Sequence, residues 1–133
     1  DKASIHLKDV IQNNDEGTWV LISKAYLSLI NGDIGEGRKT INSLMKIGIT
    51  DSEMKYRLAH FYIMLNDENN ALKSLEEAVD GGFFCYSYIE NDPLTSIIHS
   101  HPKFKQIVEK AKLRHELYEQ RFGDEIRFLL GTS

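Results

Sequence analysis

Apolar residues recur at three- and four-residue steps in two blocks between residues 52 and 82, and Leu65-Asn66-Asp67 separates the blocks. Residues at these steps share one face of a helix, so each block predicts an amphipathic helix. The small residues Ala59 and Ala71 allow the two backbones to approach closely, and the pattern therefore predicts a helical hairpin. The apolar positions are Leu58, Ala59, Tyr62 and Leu65 in the first helix and Ala71, Leu75, Ala78 and Val79 in the second.

The hairpin pattern returns when the chain is shifted by 34 residues. At this step Asp67 falls on Asp33, and Leu75 falls on Ile41 and then on Leu7. Small residues, apolar residues and turn residues each coincide with their own kind. This coincidence indicates an internal repeat.

A helix–turn–helix unit of about 34 residues is the signature of the tetratricopeptide repeat. The unit at residues 52–85 resembles that family at Ala59, Tyr62, Asn66-Asp67, Ala71, Leu75 and Ala78. The resemblance covers roughly residues 1–82 and is closest in this unit. It implies an all-α fold: a right-handed superhelical stack of antiparallel helix pairs, or α-solenoid, with a capping segment and a long C-terminal helix.

The first full unit departs from the family pattern in two ways. Trp19 and Tyr26 also fit the family's first helix if two residues are inserted before Gly32, which leaves two registers for that helix, the gap-free one being preferred. Gly37 stands where alanine is usual, and a glycine inside a helix costs about 0.5–1 kcal/mol relative to alanine. We therefore expect Gly37→Ala to raise the melting temperature.

The boundaries of the second unit have recognisable end signals. Thr50 and Glu53 are spaced as a capping box at the start of its first helix. Asp80-Gly81-Gly82 predicts the end of its second helix, since glycine adopts the left-handed C-cap easily.

The helical pattern changes after Gly82. The aromatic run at residues 83–89 has no 3.6-residue period, whereas Asn91-Asp92-Pro93 predicts the start of a short helix that ends at residue 98. Ser100-His101-Pro102 predicts a longer helix that continues to Gly123, with Phe104, Ile107, Val108 and Ala111 on one face. A separate apolar segment, residues 124–130, is expected to dock on the repeats, on another copy or on a further domain.

This tail is similar to the segment that closes tetratricopeptide arrays in bacterial multidomain regulators. The resulting layout is one domain, residues 1–133, expected to be a piece of a longer protein because the chain begins inside a helical pattern. Residues 1–17 are assigned to the second helix of a partial repeat, 18–51 and 52–85 to full repeats, and 86–133 to the capping segment and C-terminal helices.

Length and composition exclude several classes. A chain of 133 residues is one domain by length. Sixteen basic and twenty acidic side chains give a net charge of −4, which disfavours a nucleic-acid-binding face. The single cysteine, Cys85, cannot form an internal disulfide, and no apolar run is long enough to cross a bilayer. We expect a cytoplasmic location without membrane contact.

The resemblance places nine residues on the concave face, in a partner-binding groove. They are Trp19, Ile22, Tyr26, Leu29, Glu53, Tyr56, His60, Ile63 and Met64. A groove with apolar and aromatic walls suits an extended or helical peptide. The alternative is that half of these residues pack between hairpins, or that the chain's own tail fills the groove. Ile22 and Tyr26 stand where the family's carboxylate clamp needs Lys and Asn, so binding of chaperone C termini is not expected.

No residue cluster indicates catalysis, a metal or a cofactor. His99 and His101 flank a proline start with His115 distant, a poor geometry for metal binding, so capping or surface roles are expected. Cys85 has no basic or helix-start neighbour that would activate its thiol. Adjacent carboxylates such as Glu76-Glu77 point about 100° apart on a helix and do not converge on a substrate.

These observations favour a non-catalytic protein–protein interaction module, acting as an adaptor, scaffold or sensor. Its partner would be a peptide, another domain of its own chain or a second copy. The alternative is a structural spacer or homodimerisation element whose groove is occupied by its own C-terminal segment. RNA binding by a related helical-repeat class is a third hypothesis, which the 34-residue period and the net negative charge disfavour.

Overall fold

The computed structural model describes residues 14–131 of the chain, with side chains from Gly17 onward. Within this range all regular structure is helical, and the fold class is all-α. The assignment of residues 1–13 to a partial repeat lies outside the described residues. Residues 14–17, assigned to the same partial repeat, belong instead to the first helix described, which begins at Asn14.

Six α-helices and one 3-10 helix follow one another in this part of the chain. In order they are α1 (Asn14–Ile30), α2 (Ile34–Ile47), α3 (Ser52–Met64), α4 (Glu68–Asp80), α5 (Tyr86–Asn91), the 3-10 helix (Thr95–Ile98) and α6 (Pro102–Leu129). Helices α1 and α2 pack as one antiparallel hairpin and α3 and α4 as a second. The hairpin predicted at residues 52–82 is confirmed.

The two hairpins have the same turn, 34 residues apart. Gly32 and Asn66 both adopt positive φ, at 79° and 60°, which glycine and asparagine tolerate better than other residues. The following aspartates, Asp33 and Asp67, each cap the next helix by accepting a backbone N–H three residues later. The helix ends coincide at the same step, so the structure has the gap-free register.

Close approach of α1 and α2 explains Gly37. A Cβ atom at this position would lie 2.5 Å from Leu29 Cδ2 and 2.9 Å from Leu29 Cγ, far inside van der Waals contact. Leu29 is itself buried, so it has little room to move. The missing methyl group is required by packing, and the expected rise in melting temperature for Gly37→Ala loses its basis.

The start of α3 differs from the predicted capping box. Asp51, rather than Thr50, is the N-cap, and its Oδ1 accepts the backbone N–H of Met54 at 3.0 Å. Aspartate is as good a cap as threonine and adds a negative charge at the positive end of the helix. The end signal at Asp80 is confirmed, since α4 stops there.

Residues 86–129 form a third, less regular pair of segments. Tyr86–Asn91 is helical although its sequence lacks the expected period, and Thr95 joins this helix to the 3-10 helix by donating to the Ile89 carbonyl at 2.5 Å. The short helix predicted to begin at Pro93 is a 3-10 helix that begins two residues later. These elements start 34 residues after α3, and α6 starts 34 residues after α4.

Helix α6 begins at Pro102 as predicted and then continues without a break through Gly123 to Leu129. The separate apolar segment expected at residues 124–130 is therefore part of this helix. The proximal half of α6 is tied to α4 by ion pairs, Lys103 to Glu76 at 3.1 Å and Lys110 to Asp80 at 2.9 Å.

Two apolar clusters form the core. One fills the space between α1, α2 and α3, and the other lies between α3, α4, α5 and the proximal half of α6. Tyr62 packs against both clusters and joins them. Ala59 and Ala71 are fully buried, as the close approach of α3 and α4 requires. None of the described helices is both long enough and apolar enough to cross a membrane.

Candidate functional site

The nine predicted groove residues do not form one open surface. Five are buried, two are partly buried and two are exposed. The buried ones are Ile22, Leu29, Tyr56, His60 and Ile63; Tyr26 and Met64 are partly buried, and Trp19 and Glu53 are exposed. The structure thus places most of them between elements, as the packing alternative requires.

The segment after α4 covers the face of α3 that was expected to be open. Phe83 stacks on Tyr56, with ring centroids 4.5 Å apart and 23° between the planes, and Tyr88 lies against the same ring. Ile63 packs in one cluster with Ile98 of the 3-10 helix. The aromatic run that was expected to cap the array therefore covers the predicted peptide groove at α3.

A cavity of about 380 Å³ remains beside Trp19. It lies between the start of α1 and the connection from α2 to α3, and its lining includes Thr18, Ile47, Asp51 and Met54. Of the nine predicted residues only Trp19 lines it. This cavity is separate from the covered face of α3.

A polar network crosses the interior at His60. The Tyr26 hydroxyl lies 2.6 Å from His60 Nδ1, and His60 Nε2 lies 2.5 Å from Asp92 Oδ2. Tyr56 donates its hydroxyl to the same Asp92 oxygen at 2.5 Å, and Asp92 Oδ1 accepts the N–H of Leu94 at 3.0 Å. Side chains from α1, α3 and the segment after α5 therefore meet at one carboxylate.

Burial determines the protonation states in this network. It lowers the pKa of His60 despite the opposing attraction of the Asp92 carboxylate. Burial alone would raise the pKa of Asp92, but the Tyr56 hydrogen bond and the nearby His60 outweigh it, and the pKa lies below its ordinary value. A neutral imidazole protonated at Nε2 donates to Asp92 and accepts from Tyr26, so every polar atom of the ring has a partner.

Arg57 lies at the edge of this network. Its proximity to the hydroxyls of Tyr26 and Tyr88 outweighs burial and raises the pKa of Arg57. Glu53, one turn earlier on α3, pairs with Arg57 at 3.6 Å. The predicted groove residue Glu53 thus neutralises a cation at the rim of the buried network.

The network is suited to joining segments rather than to proton-transfer chemistry. The side chains of His60 and Asp92 are only 4% and 8% exposed, so a substrate has no direct path to them. Burial raises the pKa of Tyr26 and also that of Tyr56, whose hydrogen bond to Asp92 acts in the same direction, so neither phenol ionises near neutral pH. Each member instead satisfies a buried partner that would otherwise be costly.

The remaining histidines and the cysteine have local roles. His101 caps α6 by accepting the Lys103 N–H, His99 stacks on Phe104 with centroids 4.6 Å apart, and His115 pairs with Glu119 at 3.0 Å. The expected capping role is confirmed for His101. In the described part of the chain no three ligand residues are grouped to hold a metal ion.

Cys85 occupies a position that was not expected. It is exposed and is the N-cap residue of α5, although no helix start was expected near it. Its side chain makes no capping hydrogen bond.

The largest apolar surface lies on the distal half of α6, residues 112–129. Tyr118, Phe122, Phe128 and Leu129 are exposed there, Leu129 to 80%. This segment does not occupy the predicted groove, since its large side chains face solvent. Sequence analysis did not identify the surface as a site, although the three- and four-residue steps from Phe104 through Ala111 continue to Tyr118 and Phe122.

Asp92, Arg57 and Tyr88 were also not identified as site residues. Asp92 was assigned to a turn, and nothing in the local sequence indicates that it meets His60. No family model, no curated protein and no solved structure matches this chain.

Proposed function

We propose that this chain is a non-catalytic protein-interaction module built from tetratricopeptide-like hairpins. Support for the architecture comes from the two turns 34 residues apart, which share a positive φ and an aspartate cap. The start of α5 and the start of α6 keep the same step. In this interpretation α5, the 3-10 helix and α6 form a third unit, and the stack is a short α-solenoid.

The observation that carries the interaction function is the exposed apolar face of distal α6. Isolated exposed apolar residues are common on soluble proteins, but contiguous large ones indicate a surface that another molecule covers. Tyr118 and Phe122 stack in parallel on this helix, with centroids 6.2 Å apart and 4° between the rings. Aromatic side chains at such spacing are typical anchors of a helix-in-groove or helix-on-helix contact.

The originally predicted groove is a second candidate at one point only. The cavity of about 380 Å³ beside the exposed Trp19 has room for a side chain of a peptide. Tyr56 and His60 do not contribute, because the third unit covers them. We place this cavity second because it offers little apolar surface for an anchor.

A binding comparison tests the function. The wild-type chain is immobilised beside three variants, Phe122→Glu on the exposed face, Leu117→Glu on the opposite face of α6, and Trp19→Glu at the cavity. Phe122 and Leu117 are exposed to 51% and 56%, so the first two variants add the same charge to equally accessible positions. Circular dichroism first establishes that all four chains have the same helix content.

We expect the wild type, Leu117→Glu and Trp19→Glu to retain a protein that Phe122→Glu loses, whether a cellular protein or soluble copies of the same chain. Loss with Trp19→Glu alone would move the function to the cavity. Equal retention of nothing by all four chains, copies of the chain included, would refute an interaction module.

A further inference from the structure

One face of α6 runs from the core into solvent without a change in pattern. Its proximal residues are buried against α4 and α5, and its distal residues, at the same three- and four-residue steps, are exposed. The buried ones are Phe104, Ile107, Val108 and Ala111, and the exposed ones are Tyr118, Phe122, Ile126 and Leu129. Residues at these steps lie on one side of a helix, so the face is continuous with an existing helix-packing surface.

The cover on this face ends at a defined level. Asp80, the last residue of α4, reaches Lys110 by its side chain and Arg114 by its carbonyl, at 2.9 and 3.2 Å. Beyond it only Phe84 extends along α6, with its ring centroid 5.8 Å from that of Tyr118. From Arg114 to Leu129 the helix is about 22 Å long, or roughly four turns, and its apolar face lacks a packing helix.

We infer that this face binds the same face of a second copy of the chain, with the two α6 helices antiparallel. The orientation follows from what already covers the face. In a parallel pair, α4 and α5 of both copies would meet at the level of Ala111 on the side where the helices join. In an antiparallel pair the two bodies lie at opposite ends, and only the exposed distal halves overlap.

The antiparallel arrangement matches the apolar positions. When Phe122 lies opposite Ile126 of the second copy, Tyr118 lies opposite Leu129 of the second copy, and the same pairs recur on the other side of the two-fold axis. The two aromatic and two aliphatic side chains of each copy then face aliphatic and aromatic partners. A two-fold contact of this kind needs only one self-complementary patch.

The charges of the distal half favour a copy over a charged partner. Lys112, Arg114, Arg121 and Arg127 balance Glu116, Glu119, Asp124 and Glu125. The segment is therefore neutral although the whole chain carries −4. A neutral helix does not attract a strongly acidic or basic partner, and it does not repel itself.

One flank of the face also supplies reciprocal ion pairs. Arg121 and Glu125 lie on the same side of the apolar stripe and pair within the helix at 3.6 Å. In the antiparallel register Arg121 of each copy comes near Glu125 of the other, so the pair contributes twice. Since the contact is only about four turns long, we expect a dissociation constant in the micromolar range.

The mass of the chain in solution, as a function of concentration, tests the inference. Sedimentation equilibrium from low micromolar to submillimolar concentration should show a shift from 15.3 kDa to twice that mass. Phe122→Glu should raise the dissociation constant about 100-fold, whereas Leu117→Glu on the opposite face should leave it unchanged. A dimer that both variants keep equally would overturn the assigned face.

A charge exchange separates direct contact from effects on folding. Arg121→Glu alone and Glu125→Arg alone each place like charges across the interface and should weaken the dimer. Mixing these two variants should restore association, because each supplies the charge the other lacks. Failure of the mixture to associate would overturn the contact between the two flanks.

The orientation has its own measurement. Spin labels at Leu113→Cys, in a Cys85→Ser background, should be about 35 Å apart in the antiparallel dimer and about 20 Å apart in a parallel one. The short distance would overturn the antiparallel arrangement.

The inference rests on the proposed interaction function, but the two fail differently. A wild-type chain that stays at 15.3 kDa throughout overturns the second copy as occupant. If that chain still retains another protein that Phe122→Glu loses, the interaction function stands with a different partner. If it retains nothing, both are overturned.

Discussion

Single buried polar residues in this molecule are satisfied by residues of other hairpins. His60 has Tyr26 on one side and Asp92 on the other, and Asp92 also accepts from Tyr56. In the described part of the chain no buried side-chain nitrogen or oxygen lacks a hydrogen-bond partner. Removing one member would leave another buried and unpaired, which costs more than the hydrogen bond itself contributes.

These meetings could not be predicted from the sequence. His60 was placed correctly on α3 by periodicity, and Asp92 was placed correctly before a helical turn. Their contact joins residues 32 positions apart and depends on how α5 folds back over α3, a matter of packing that local patterns do not record. Periodicity gives the side of a helix on which a residue lies, but not which neighbour covers that side.

The residue-scale prediction concerns Gly37 and its neighbour Gly35. We expect Gly37→Ala to lower the free energy of unfolding by about 1 kcal/mol, since the new methyl group overlaps Leu29 and a packed site resists the insertion. Gly35→Ala has only Asp33 Oδ1 nearby, at 4.0 Å, and should raise stability by about 0.5–1 kcal/mol. Chemical denaturation of the two variants measures both, and a gain for Gly37→Ala would mean that Leu29 repacks without strain.

At the scale of elements, the sequence predicted best where a helix is long and its turn chemistry is regular. Both hairpins and the start of α6 were predicted correctly, since each has an aspartate, asparagine, glycine or proline signal at its end. Helix α5 was missed because six residues are too few for a period to be visible. Gly123 was misinterpreted as a helix end, because a helix tolerates one interior glycine at a cost of only about 1 kcal/mol.

The element-scale prediction concerns the start of α3. We expect Asp51→Ala to destabilise the chain by about 1 kcal/mol, because the Met54 N–H loses its acceptor and the helix loses a favourable terminal charge. Thr50→Ala, one residue earlier and exposed, should change stability by less than about 0.5 kcal/mol. Thermal unfolding followed by circular dichroism compares them. A larger loss for Thr50→Ala would restore the capping box with Glu53.

At the scale of the whole molecule, the His60 network makes stability depend on pH. Tyr26 from α1, Tyr56 and Arg57 from α3, and Tyr88 and Asp92 from the third unit all lie around this imidazole. The unfolded chain protonates His60 near its ordinary pKa of 6.5, whereas burial lowers the pKa in the folded chain. Between these values the unfolded state binds more protons, so stability rises with pH.

We therefore expect the free energy of unfolding to fall as pH falls from 7 through 6.5, until the folded His60 also titrates. His60→Gln should flatten this part of the profile, since a glutamine accepts from Tyr26 and donates to Asp92 without titrating. Urea denaturation at several pH values measures the slope, with His115→Gln as the control that keeps it. An unchanged slope in His60→Gln would exclude His60 as its source.

Asp92 adds a second loss at lower pH. Its folded pKa lies below the ordinary 3.8, so its contribution is present above that value and disappears as pH falls through the folded value. Both groups act in the same direction, and the molecule is expected to be acid-sensitive.

The bonds from Tyr26 to His60 and from His60 to Asp92 also limit how this architecture can change in length. In many repeat proteins a unit interacts with its neighbours mainly through apolar surface, so units are gained or lost with little disturbance. Here each hairpin supplies a polar atom that the next one requires. Excising the middle hairpin would bring Tyr26 and Asp92 together without the imidazole that mediates between them. The chain is therefore a fixed assembly of unlike parts, and its number of units cannot change one at a time.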